Sequence, residues 1–391
     1  MNLTTARGRA KARLRLLAEG ALARLPAPSQ DGGVLLVRLD AIGDFLLWQR
    51  TAASYRAIYP GRHLVLAANA LWAPLASRLP YWDEVVAIEM PRLDYDRRYR
   101  MRTFRALRRR NFSVALQPTF SRILVYGDSV VRASGASARI GFDGDLANMP
   151  AIAKAWSDRW YTTLIAAERG ARTELERNDE FLLKLGCREV AADALPTVAV
   201  LPAELRIDRP YFIVFPGASW TGRQWPAERF ARLIELVGTR FPGWLPILCG
   251  SADERGLCDD VAARTSAPCA TLAGKTSLAE FCEVVRGARL LVGNETSAIH
   301  VAAAVGTPSV CLLGGGHFGR FVPYPAAFRG RAPEPVYEPM PCYGCNWKCR
   351  LPHAAGDAVP CVAAITLEAV GDAIDRALAS PPRGVDGVRI A

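Results

Sequence analysis

The stretch VLLVRLDAIGDFLLWQR, Val34 to Arg50, decides how the chain is read. An apolar run ends at Arg38, a short loop carries Asp40, Gly43 and Asp44, and a helical pattern begins at once. A strand that turns directly into a helix is the opening of a βαβ unit. Two carboxylates at the mouth of that turn pose the functional question. Asp40, beside Arg38, reads as a local ion pair or a turn residue, whereas Asp44 opens the helix and is the candidate for chemistry.

Outward from this stretch the alternation continues. A helix is expected from Gly43 to Tyr59, followed by the strands HLVLAAN (63–69) and EVVAIE (84–89), a basic helix near 98–110 and the strand FSVALQ (112–117). PTVAVLPAELRIDRPY (196–211) is proline-rich and without a clear period, which reads as a linker. The pattern then restarts with YFIVF, a helix from Pro226 to Phe241, LPILCG, a helix after Asp253, SLAEFCEVVRG, ARLLVG, a helix from Thr296 and PSVCLLG. The amphipathic stretch TLEAVGDAIDRALA (366–379) closes it. The expected fold is α/β, with two doubly wound, Rossmann-like domains facing a central cleft. The expected division is a basic segment 1–30, a domain 31–200, a domain 201–365 containing a Cys-rich loop 342–361, and a helix and tail 366–391.

Half of the 391 residues are hydrophobic and 22% are charged, a globular and not a disordered composition. No apolar run reaches the roughly 18 residues of a membrane span, and the N-terminus lacks an uninterrupted apolar region, so the expected location is cytoplasmic. The formal charge of +11 is concentrated in two places, residues 1–25 with a net of +5 and residues 92–110 with a net of +7. Such patches point to phosphate groups or anionic headgroups, or else to solvated helix faces. Arg98, Arg102, Arg105 and Arg109 share one helical face, with Met101, Phe104 and Leu107 towards the other. The N-terminal segment reads as lying on a membrane surface or as a basic tail.

Common nucleotide signatures are missing. AGKTS (273–277) lacks the glycine that a P-loop needs at position 269, which is Cys269, and no G-x-G-x-x-G follows the first strand of either half. Two other loops are more informative. In IVFPGASWTGRQWPAERF (213–230), Gly217, Ala218 and Ser219 allow backbone N–H groups to approach an anion, and Arg223 supplies a fork of donors. In ARLLVGNETSAIHVAAAVGTPSVCLLGGGHFGRF (288–321), Thr296 and Ser297 open a small-residue helix whose N-terminus favours phosphate, and Glu295 is placed to accept from sugar hydroxyls. His300, one turn in, reads either as a phosphate ligand or as a core histidine. Gly314–Gly316 with His317 leaves room for close backbone approach. Asp253 and Glu254 are candidates for holding ribose hydroxyls, or for a plain helix-dipole role.

Six of the ten cysteines are scattered through apolar segments, whereas Cys342, Cys345, Cys349 and Cys361 are clustered, with His353 among them. That spacing is compatible with a structural zinc or iron, and equally with free or redox-active thiols.

Taken together, RLDAIGD, FPGASWTGRQWP and GNETSAIHVAAAVGTP resemble the three signature regions of glycosyltransferase family 9, best known from the heptosyltransferases of lipopolysaccharide core assembly. The likeness runs over roughly residues 34–375. It implies a GT-B fold with an acceptor in the N-terminal domain and a nucleotide-diphosphate sugar in the C-terminal one. It also implies inversion at the anomeric carbon with no cofactor required for catalysis. The family's general base falls on Asp44, its phosphate-binding lysine on Arg223, and its small hydroxyl-bearing loop on Ala218 and Ser219. The acidic residue, threonine, glycine and histidine of its last motif fall on Glu295, Thr296, Ser297 and His300. Arg for Lys, Glu for Asp and Ser for Gly are departures that bear on sugar and nucleotide preference and not on the fold.

An inverting transfer needs a carboxylate to take the acceptor's proton and donors to stabilise the departing diphosphate. Asp44 fits the first role, and Arg223 with the amides near Thr296 the second. The expected acceptor is a glycolipid or glycan, met by the arginine face, with an anionic membrane surface as a further partner and no nucleic acid. The alternatives are a nucleotide-sugar epimerase of the same fold and a non-catalytic sugar-nucleotide-binding protein.

Overall fold

The computed structural model describes residues 32–381, so the basic segment and the last ten residues lie outside the described residues. The described residues divide into two compact units, 32–170 with 177–191, and 171–176 with 192–381.

In the first unit the strands are β1 (Gly33–Arg38), β2 (Leu64–Asn69), β3 (Glu84–Ile88), β4 (Phe112–Gln117), β5 (Ala138–Phe142) and β6 (Thr163–Ile165). They form one sheet in the order β3-β2-β1-β4-β5-β6, and every pairing is parallel. Burial on both faces explains why β1 and β2 read as unbroken apolar runs and not as alternating ones. The strand order reverses between β1 and β4, and ligands of doubly wound sheets collect at the carboxyl ends of such strands.

The helix Ile42–Gln49 follows β1 and buries Phe45, Leu46, Leu47 and Trp48. Phe45 stacks on Trp72 at 4.2 Å, and Trp48 lies parallel to Trp82 at 5.9 Å. This anchors the helix start that carries Asp44. The single helix expected from Gly43 to Tyr59 is instead two, Ile42–Gln49 and Ala52–Ile58. The hydroxyl of Thr51 donates to the Trp48 carbonyl at 2.8 Å, an acceptor that an unbroken helix would reserve for the chain ahead.

The basic helix spans Arg97–Arg108 and is capped by Asp96, whose side chain accepts from the Tyr99 N–H. Arg98, Arg102, Arg105 and Arg109 are all exposed. Arg100 points inward and donates to the carbonyls of Leu93 and Val125 at 3.1 and 2.7 Å. Its neighbours in the charge run are partly neutralised, Arg92 by Glu89 and Asp96, and Arg110 by Glu84.

The second unit repeats the scheme with β7 (Tyr211–Phe215), β8 (Leu245–Leu248), β9 (Ala270–Thr271), β10 (Leu290–Asn294), β11 (Ser309–Leu312) and β12 (Glu334–Val336). Their order is β12-β11-β10-β7-β8-β9, again all parallel, with the reversal between β7 and β10. Val370, Ala373, Ile374 and Ala377 of the helix Leu367–Ala379 belong to the same core as Phe212, Phe230 and Val292. Among the described residues no helix is long and apolar enough to cross a membrane.

Candidate active site

In the first unit the loop after β1 is held from several sides. Arg38 is buried and its Nε lies 2.7 Å from Asp40 Oδ2, the ion pair expected from the sequence. The same guanidinium donates to Asn178 Oδ1 at 3.2 Å and to the Asp44 carbonyl at 3.5 Å. The Asp40 carbonyl accepts from Asn69 Nδ2 at 3.1 Å and Trp72 Nε1 at 3.0 Å. Asp40 is thus part of the scaffold. Asp44, half-buried in the first turn of its helix, sits at the carboxyl edge of the sheet.

In the second unit two loops meet at the reversal of strand order. β7 runs into Pro216–Ser219 and a 3₁₀ turn at Thr221–Arg223, and β10 runs into Glu295 and Thr296. Asn294, fully buried at the end of β10, joins them: its Nδ2 donates to the carbonyls of Pro216 at 2.7 Å and Gly217 at 3.3 Å, while its Oδ1 accepts from the Trp225 N–H at 3.0 Å. Asn294 stands out little from the sequence alone. An amide side chain ending a buried strand, just ahead of a helix, was the available signal.

Arg223 crosses the gap between the loops. Its Nη2 donates to the Glu295 carbonyl at 2.5 Å and its Nη1 to Ser219 Oγ at 3.3 Å. The Glu295 carboxylate lies 3.6 Å from the guanidinium and is 4% exposed. Burial raises its pKa to about 7, with Arg223 opposing the shift. Neither Glu295 oxygen, nor Arg223 Nε, nor Thr296 Oγ1 has a hydrogen-bond partner among the described residues, although all are buried. Buried polar atoms unmatched in one place call for an explanation, and a polar ligand bound between the two loops is one.

Thr296 caps the helix Ser297–Val305 without a side-chain capping bond, and Ser297 is half-exposed at its start. Ala218 is buried in the β7 loop and Ser219 is exposed. Glu254 stands directly over Gly217, where a Cβ would meet its carboxylate, and accepts from the Ser251 N–H at 2.7 Å; Asp253 is exposed. His300 lies one turn into the helix that Thr296 opens. It is buried, its Nδ1 lies 2.9 Å from the Tyr324 hydroxyl, and burial lowers its pKa to about 4, so it is neutral at pH 7.

Cys342, Cys345, Cys349 and Cys361 line one cavity of about 10 Å³ together with Met340 and Trp347. Burial pushes the Cys361 thiol up; the Gly315 N–H that it accepts opposes this, and the three other cysteines add to the rise. Among the described residues no group of three or more His, Cys, Asp or Glu side chains is arranged to hold a metal ion.

The family model for glycosyltransferase family 9 (heptosyltransferase) matches residues 100–330, more than half of the chain. The chain belongs to glycosyltransferase family 9. Lipopolysaccharide heptosyltransferase 1 of Pseudomonas aeruginosa is 26% identical to this family member over 330 residues, covering 80% of this chain and 85% of the relative. Lipooligosaccharide heptosyltransferase 2 of Haemophilus influenzae is 32% identical over 114 residues, 27% of this chain and 32% of the relative. Among solved structures, the family 9 glycosyl transferase of Veillonella parvula superposes with a TM-score of 0.69 at 16% identity, over 90% of this chain and 99% of that one. The iron-containing heptosyltransferase TibC of enterotoxigenic E. coli, solved with ADP-D-β-D-heptose, superposes with a TM-score of 0.54 at 15% identity, over 89% of this chain and 76% of that one. These likenesses show the shared fold, two doubly wound parallel sheets of the GT-B kind.

Proposed function

We propose that this family 9 glycosyltransferase moves a heptose or related sugar from a nucleotide-diphosphate donor to a lipopolysaccharide or other surface-glycan acceptor, with inversion at the anomeric carbon. The observation that carries the reading is the cluster of buried, unsatisfied polar atoms on Arg223, Glu295 and Thr296, at the helix N-terminus and strand reversal where a diphosphate is best held. Arg223 and Ser219 would bind the diphosphate with the backbone of Ala218, Thr296 and Ser297, and Glu295 would accept from donor hydroxyls. His300, neutral and bonded to Tyr324, would support the helix from within.

In this mechanism Asp44 takes the proton from the acceptor hydroxyl as its oxygen attacks the anomeric carbon. The bond to the diphosphate breaks on the opposite face, and Arg223 with the helix N-terminus stabilises the charge that leaves. The exposed Arg98, Arg102, Arg105 and Arg109 would meet acceptor phosphates or an anionic membrane surface, placing the enzyme at the cytoplasmic face of that membrane. The chemistry described needs no metal. Separately, the four clustered thiols lining one cavity are the donor type that a structural zinc or iron takes, although the described side chains are not arranged to hold one, and TibC is a heptosyltransferase that contains iron.

A thermal-shift panel of ADP-, GDP- and UDP-sugars tests the donor site: one nucleotide class should raise Tm, and stabilisation by none would remove the assignment. Metal content of the purified protein, compared with a Cys345→Ser/Cys349→Ser variant, tests the thiol cluster; a wild type with no more metal than the variant would leave it as free thiols.

A further inference from the structure

The Cys-rich loop is built against Arg223, the residue proposed to bind the donor's diphosphate. Asn346 and Trp347 have φ of 51° and 58°, left-handed values that non-glycine residues keep only where their surroundings enforce them. Those surroundings are the run Gly314–His317. Gly344 and Asn346 donate their N–H groups to the carbonyls of Gly315 and Gly316 at 2.8 and 2.9 Å. Trp347 Nε1 donates to His317 Nδ1 at 3.2 Å, which leaves His317 Nε2 to donate to Asn346 Oδ1 at 2.6 Å. The glycines make the docking possible, because a Cβ on Gly314 or Gly316 would lie 2.5 or 2.2 Å from the Trp347 ring.

The result is that the docked indole lies over the Arg223 guanidinium, whose Cζ is 4.6 Å from the ring centroid. Apart from the ring, Arg223 donates from its two terminal nitrogens to Ser219 and the Glu295 carbonyl, with the Glu295 carboxylate 3.6 Å away, while its buried Nε has no hydrogen-bond partner among the described residues. A tryptophan face attracts a cation without occupying any N–H donor, so it can fix the guanidinium plane and leave the fork available to an anion.

We propose that Trp347 is a positioning residue for the donor site, and that through it the Cys-rich loop sets the affinity for the donor's diphosphate. The proposal rests on the reading of Arg223 as the diphosphate ligand. It goes beyond that reading by giving the thiol loop a part in donor binding.

The test is calorimetric titration of the full chain with the nucleoside diphosphate whose sugars stabilise the wild type in the panel above, ADP, GDP or UDP. Trp347→Leu should weaken binding about tenfold, as loss of a shielded cation–π contact implies, and Trp347→Phe should stay within about threefold of wild type. Trp347→Met, a second replacement without a ring, serves if the leucine variant does not fold. In the Arg223→Ala background, Trp347→Leu should cost nothing further, since the ring acts through the guanidinium. Wild-type affinity in Trp347→Leu or Trp347→Met, or losses that simply add to that of Arg223→Ala, would overturn the proposal. If Arg223→Ala itself binds as wild type does, the donor reading fails and the positioning role falls with it.

Discussion

The Glu295 carboxylate lies 3.6 Å from the Arg223 guanidinium yet has no hydrogen-bond partner among the described residues, and burial raises its pKa from 4.5 to about 7. The unfolded chain gives up this proton near pH 4.5, whereas the folded protein holds it until about pH 7. Between those values the folded state binds more protons, so stability falls as pH rises through this window and stays lower above it. The total is about 3 kcal/mol. Glu295→Gln should remove that slope and be the more stable protein at pH 8, as measured by Tm against pH for the two proteins. Parallel profiles would contradict the buried carboxyl.

Asn294 ties the two loops of the proposed donor site through Pro216, Gly217 and Trp225. Asn294→Ala leaves two carbonyls and one N–H buried without that partner, at a penalty of roughly 2–4 kcal/mol. Denaturant unfolding reads the loss directly, and nucleoside diphosphate binding should weaken with it because the loops no longer hold one spacing.

Asp40 and Asp44 should separate cleanly. Asp40→Asn takes the negative charge away from a guanidinium that is 1% exposed and should destabilise the protein by about 3 kcal/mol. Asp44→Asn should leave Tm and donor binding near wild type and lower sugar transfer by at least about a hundredfold, the scale of a lost general base. Transfer at the wild-type rate in Asp44→Asn would falsify the proposed base.

His300 has its pKa lowered from 6.5 to about 4 by burial. The unfolded chain takes up this proton near pH 6.5 and the folded protein only near pH 4, so the corresponding stability, about 3 kcal/mol, is present above pH 6.5 and lost as pH falls towards 4. The ring proton shifts of His300 in NMR spectra should accordingly stay constant from pH 8 to pH 5. A titration near pH 6.5 would show the ring exposed to solvent.

Much of this was legible in the amino-acid order. Strands β1, β2, β4, β7 and β10 are apolar runs because both faces of a parallel sheet are covered, and that alone separates them from the amphipathic helices around them. Loops with small residues and an arginine or a threonine after β7 and β10 carry local chemistry that the sequence states outright. The short β9 and β12 have no such signature, since two or three residues at a sheet edge are defined by the neighbour they pair with. The break at Thr51 depends on a hydroxyl choosing one carbonyl, which periodicity does not register.

By itself, then, the sequence determined the two βαβ alternations, the family and the loops that carry the candidate site, because these follow from hydrophobic period and local residue chemistry. Only the tertiary structure decided which polar groups are satisfied. Arg38 finds Asp40, His300 finds Tyr324 and Asn294 spans two loops, while Glu295 and Thr296 are left buried with side-chain oxygens unmatched. Burial and partnership are set by residues 24 or 78 positions away in the chain, as for His300 with Tyr324 and Asn294 with Pro216, and no local pattern encodes that distance.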